Sequence, residues 1–242
     1  MPAADSLIAE LKAKYARPAS IAHHAKEGSP LGSWLGAVKV ALPDEPWPEF
    51  EGAPLQGVAQ FNLLELPYRP PLLEDLAMIT VFLRFDAWRL SLPWDPEAHT
   101  GYLAPGAGWL LRAYPTLDGL APAVPSTPSP LRPTALGWSL CEKDFPSQED
   151  ADWRDGEKLD EEDDWYELFP TAEGLKIGGW PYLIQGELEW TCSKRWKHPP
   201  AFGFQIDSNP DVNLHIIDNG FCYFARGERG TPDEWAFEVQ CL

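Results

Sequence analysis

Positive charge is scarce in this chain of 242 residues: 19 lysines and arginines face 37 aspartates and glutamates, a formal charge of −18. So acidic a surface repels phosphate backbones, which argues against nucleic-acid binding, and attracts basic proteins. Cysteine is sparse too. Cys141, Cys192, Cys222 and Cys241 stand far apart without a C-x-x-C pair, a pattern of reduced thiols rather than of a disulfide framework or a zinc ribbon. No apolar run has the length of a membrane span. Residues 1–20 are polar and broken by Lys12, Lys14 and Arg17, unlike a secretory signal. The expectation is a cytoplasmic protein without membrane association. H-E-x-x-H, G-x-S-x-G and the Lys-Ser/Thr ending of a nucleotide loop are missing, so no catalytic residue, metal or cofactor is expected from motifs.

Proline and tryptophan, by contrast, are plentiful. The 26 prolines exclude a helical bundle, because proline removes a helix donor and clashes with the preceding turn. The 12 tryptophans offer large apolar area for a core or an interface. One helix is legible over residues 5–17: Asp5 is placed to cap it, Leu7, Ile8, Leu11 and Tyr15 form one apolar stripe, and Pro18 ends it. Strands are expected at Trp34–Leu42, Leu55–Leu63, Ala77–Phe85, Gly108–Tyr114, Trp180–Glu189, Ala201–Asp207, Leu214–Ile217, Phe221–Ala225 and Trp235–Cys241. The turn residues between them favour antiparallel pairing. The fold class is therefore α+β, mainly antiparallel, with an N-terminal helix.

The chain also echoes itself. Leu35-Gly36-Ala37, Trp47-Pro48 and Gln60-Phe61-Asn62 return, in the same order, as Ile177-Gly178-Gly179-Trp180-Pro181, Trp190 and Gln205-Ile206-Asp207. An echo of this size points to a duplicated unit rather than a solenoid. The expected layout is a helix and first half over 1–114, a Pro-rich connector and acidic insert over 115–176, and a second half over 177–242, in one compact domain. These motifs, with Gln185 and Asp218-Asn219-Gly220, resemble the YwqG-like family of uncharacterised bacterial proteins. The chain departs from its pattern at Ala37 and Lys39, and at His215, Ile216 and Ile217. The resemblance implies a compact α+β protein of two related halves, encoded near toxins and their immunity proteins, with no established activity.

Two groups of residues carry the functional expectation. Residues 142–167 hold 13 acids and three basic residues, more than half of the net charge, interrupted by aromatic rings. Trp153, Asp160, Glu161, Glu162, Asp163, Asp164, Trp165 and Tyr166 are expected to meet a basic partner, the acids steering and the rings anchoring. Gln60, Gln185, Gln205, Asp207, His215 and Asp218 are polar groups in or beside apolar runs, which either tie the halves together or line a pocket. Asp207, Asn209, Asp211 and Asn213 have calcium-loop spacing, but Val212 stands where that loop needs glycine, so no metal is expected. The leading expectation is a non-catalytic partner-binding protein, an immunity protein that occludes a toxin. The alternatives are a small-ligand binding protein with its site between the halves, and a hydrolase using Asp207, His215 and Asp218.

Overall fold

The computed structural model describes residues 2–86, 89–90, 102–103, 106–125, 127–159, 164–188, 190 and 196–241. After helix α1 (Pro2–Tyr15), eleven strands form one sheet: β1 (Arg17–His24), β2 (Trp34–Leu35), β3 (Gln56–Asn62), β4 (Met78–Leu83), β5 (Tyr102–Leu103), β6 (Trp109–Tyr114), β7 (Thr134–Asp144), β8 (Lys176–Gly178), β9 (Ala201–Asp207), β10 (Phe221–Arg226) and β11 (Trp235–Gln240). Their order is β5-β11-β10-β9-β8-β1-β7-β2-β3-β4-β6, with antiparallel pairing throughout. The sheet curls into a nearly closed barrel. Trp109 on β6, at one end of the order, stacks on Phe237 of β11 near the other, with ring centroids 5.1 Å apart.

β1 and β7 lie side by side at the middle, and each crosses over. β1, early in the chain, pairs with the late strand β8, Ala19 opposite Gly178. β7, late in the chain, pairs with the early strand β2, Thr134 opposite Leu35. The barrel interior is filled from both sides of this pair. Phe61 meets Phe204 edge-on at 5.4 Å, and Phe204 stacks on Phe224 at 4.5 Å. Each such aromatic pair contributes about 0.5–1.5 kcal/mol beyond its buried area. The region between the early and late strands is thus a shared apolar core rather than a cleft.

Several expectations need correction. β1 was not expected, because Pro18 reads as a stop and Ile21 is its one β-branched residue. A register shift between Arg17 and Ala19 passes the proline, and Ala19 and Ser20 are fully buried, small enough for the middle of the sheet. β7, the longest strand, falls inside the segment 115–176 expected as connector and insert. The helix begins at Pro2, so Asp5 stands within it and not at its cap. The expected strand Trp34–Leu42 is cut by Gly36, at φ +77°. A side chain there would collide with Val212 and Arg132, so the chain turns and resumes as a separate ribbon, Val40–Ala41 against Ala121–Pro122. The described part of Trp180–Glu189 forms bends and no strand, and Leu214 makes a single bridge to Asn209.

Gln60 holds the loop after Gly36 in place. Fully buried, it accepts the Lys39 and Val40 amides at 2.8 and 3.1 Å and donates to Pro30 O and Gly32 O at 2.8 and 2.7 Å. All its hydrogen-bonding capacity on the amide is used by backbone groups that have no strand partner there. Gln60→Leu strands those groups and is expected to cost about 3 kcal/mol or more. Gln185→Leu, at an exposed position, stays within about 0.5 kcal/mol of the native chain. Urea unfolding of the two variants measures the difference.

Candidate functional site

The most heavily built polar region lies where β7 ends and β8 begins. Asp144 and Lys176 are both fully buried, and their ion pair measures 2.8 Å. Asp144 Oδ2 also accepts the Trp180 amide at 2.8 Å, and Oδ1 accepts the Ala172 amide at 2.6 Å. Lys176 Nζ donates in addition to Ala172 O at 2.6 Å. Burial pushes the Lys176 pKa down and the Asp144 charge opposes it. Gly179 makes this approach possible: its φ is +71°, and a Cβ would fall on the Asp144 carboxylate.

Trp180 carries the cluster to the surface. Its indole donates to Tyr15 O at 2.8 Å, and the Arg17 guanidinium lies over its ring at 3.3 Å. Tyr15 OH donates to Asp155 Oδ2 at 2.7 Å, a carboxylate that also receives Lys14 at 2.5 Å and Lys158 at 2.6 Å. Hydrogen bonds from Lys14 first, then Lys158 and Tyr15, hold the Asp155 carboxyl well below the usual range. The acidic segment is in this way fastened to α1.

Asp150 is the opposite case. Its Oδ2 is buried without a hydrogen-bond partner, as is Ser147 Oγ in the same turn. Burial first, then the charge of Glu187, pushes the Asp150 pKa up to about 6; Glu149 adds to the rise, and Arg17 and Lys176 oppose it.

Trp165, expected as a partner anchor, is only 4% exposed. It packs with Leu11, Tyr15, Phe145 and Phe169, and its indole donates to Pro146 O at 3.0 Å. It anchors the acidic segment to α1, not a partner to the protein. Tyr166 points the other way, 53% exposed, its hydroxyl 3.1 Å from Glu149. Asp164 caps the turn Trp165–Leu168 by accepting the Tyr166 amide. Trp153 opens the short helix Trp153–Gly156; its side chain, like Asp160, Glu161, Glu162 and Asp163, lies outside the described residues.

The expected pocket set does not assemble. Gln60 and Gln205 are buried, and Gln205 binds the Tyr182 amide and Gly174 O, both at 2.8 Å. Gln185 is exposed, and its backbone amide is held by Gln240 Oε1 at 3.1 Å. Gln240, which the sequence reading missed, is the third buried glutamine and also binds Ile184 N and Gly186 O. Its signal was a polar residue ending an apolar strand. Burial raises the Asp207 pKa; His215 is half-buried and Asp218 exposed on the following loop. Asn209 spends its side-chain oxygen on the Asp211 and Val212 amides. Among the described residues no group of three or more His, Cys, Asp or Glu is placed to hold a metal.

Residues 33–228 match the family described as Domain of unknown function (DUF1963). The chain belongs to that family. The match leaves out β1 and β11, both integral to the sheet. No curated protein matches the chain. Among the described residues no helix is long and apolar enough to cross a membrane.

Two expected outcomes follow from this geometry. The Asp150 pKa is raised above its unfolded value, so the carboxyl's contribution is fully present below about pH 4 and lost as pH rises through about 6. Asp150→Asn removes that loss: it is expected to gain about 1–3 kcal/mol over the native chain at pH 8 and nothing at pH 4, measured by urea unfolding at both pH values. Gly179→Ala and Gly230→Ala impose the same backbone strain, with φ +71° and +74°, but Gly230 has open space around it. Thermal unfolding should show the Gly179 variant losing at least about 2 kcal/mol more, through displacement of the buried carboxylate.

Proposed function

We propose that this protein is a non-catalytic binder of a basic protein, an immunity protein that neutralises a toxin by covering it, working in the bacterial cytoplasm. The observation that carries this reading is the fastening of the acidic segment. Asp155, held by Lys14, Tyr15 and Lys158, and Trp165, buried against Phe169, pin the stretch at two points. Between and around the pins, Glu149, Asp152, Glu157, Asp164 and Glu167 are exposed, as is the ring of Tyr166, whose hydroxyl meets Glu149. An acidic face already ordered before contact loses less conformational entropy on binding than a free acidic tail does. The carboxylates supply long-range attraction and Tyr166 supplies the anchor.

The resemblance to the YwqG-like family supports the same reading. We also propose a duplicated origin for the two runs of strands, and one correspondence supports it. Trp34 stands opposite Gln60 as Lys176 stands opposite Gln205, and in each case a positive-φ glycine, Gly36 or Gly178, follows.

The test is surface-bound kinetics against the basic protein encoded beside the gene, at two salt concentrations. Neutralising Glu149, Asp152, Glu157 and Glu167 together should slow association and flatten its salt dependence, since added salt screens exposed charges over about 8–10 Å. Tyr166→Ala should speed dissociation. Trp165→Ala should instead lower stability by about 3–5 kcal/mol, as expected of a buried ring. Association that ignores salt, or a quadruple variant that binds like the native chain, removes the acidic face from the mechanism.

A further inference from the structure

On the β4–β6 side of the barrel, a pocket of about 190 Å³ opens between the sheet and the Val40–Ala41/Ala121–Pro122 ribbon. Its aromatic wall is Trp47 set edge-on to Phe82, centroids 5.2 Å apart, with the Trp47 indole fixed to Leu55 O at 2.7 Å. Pro43 and Pro122 line it too, and Val124, 82% exposed, stands at its rim. The space holds several waters and is enough for a ligand of amino-acid size.

Two opposite charges line this pocket, and both have capacity to spare. The Arg112 side chain is 15% exposed and lies 5.4 Å over the Phe82 ring. Its single hydrogen bond among the described residues runs from Nη2 to Pro46 O at 2.5 Å, and Nη1 is held only by the longer ion pair with Glu45. Glu45 Oε2 accepts from Tyr114 OH at 2.6 Å and from the Leu42 amide at 3.0 Å, and stands 3.7 Å from Arg112 Nη1. Its Oε1 has no hydrogen bond among the described residues. Both side chains are partly open to the pocket, 15% and 26% exposed, and a planar guanidinium beside a carboxylate, over an aromatic wall, suits a ligand bearing both charges.

We infer that this pocket binds a small α-amino acid with an apolar side chain. The ligand carboxylate meets Arg112, its ammonium meets Glu45 Oε1, and its side chain rests on Trp47, Phe82 and Pro122. The site lies on strands and a ribbon away from residues 142–167 in the chain, and does not rest on the partner-binding reading.

The experiment is calorimetric titration of the full chain with leucine, leucinamide and N-acetylleucine. Leucine is expected to bind with a dissociation constant below about 10 mM, within reach of a ligand this small. Loss of either charge, in leucinamide or N-acetylleucine, should weaken binding at least about tenfold, the scale of one unpaired polar contact. Arg112→Met should abolish the preference for leucine over leucinamide, and Glu45→Gln the preference over N-acetylleucine. Should a variant fail to fold, the three ligands on the native chain still decide. No heat from leucine at about 10 mM, or equal binding of all three ligands, overturns the assignment.

Discussion

The buried pair of Asp144 and Lys176 is the constraint on which the middle of the molecule depends. Two charges withdrawn from water carry a desolvation cost of several kcal/mol each, and their attraction offsets it only in good geometry with the remaining hydrogen bonds satisfied. Here Ala172 and Trp180 supply those bonds. The pair therefore contributes definition more than net stability. It fixes where β7 ends, where β8 begins and how the chain between them returns. It also dictates glycine at 179. Trp180, Arg17 and Tyr15 gather around the turn this pair sets, so α1 is positioned by a charge contact made outside it.

Three buried glutamines share a second task. A barrel built from strands that stop at glycine turns leaves backbone amides with no ladder partner. Gln60, Gln205 and Gln240 each reach out of a strand to bind such a loop. A side-chain amide has both donor and acceptor, so one residue can hold an N–H and a C=O of the same loop. The loops are thereby ordered without regular secondary structure, which suits surfaces that present fixed groups to a partner.

Much of the sheet was legible in the sequence. Ala201–Asp207 falls where its apolar run placed it, and Met78–Leu83 and Trp235–Gln240 differ by one or two residues at their ends. Those strands are long apolar stretches bounded by turn residues. β1 was invisible for the opposite reason: a central strand needing close approach is built from alanine and serine, which carry no strand signal. The site was less legible. Trp165 looked like an interface ring because acids surround it in the chain, yet its neighbours in space are Phe145 and Phe169. Asp144 and Lys176 looked like ordinary charged residues because the sequence does not show that they are buried together. Asp207, His215 and Asp218 lay close in the chain without becoming a group.

The exchange of β1 and β7 sets the order in which the protein can be made. A chain leaves the ribosome N-terminal end first at about 5–20 residues per second. Ala19 must wait for Gly178, and Leu35 for Thr134, so the first strand spends roughly 10–30 s without its late neighbour. The inner face of β3 and β6 meanwhile waits for Phe204, Phe224 and Phe237, which lie on the last three strands. Loop closures of this length are slow to search. A core shared between early and late strands thus places the greatest demand for chaperone protection on the first half of the chain.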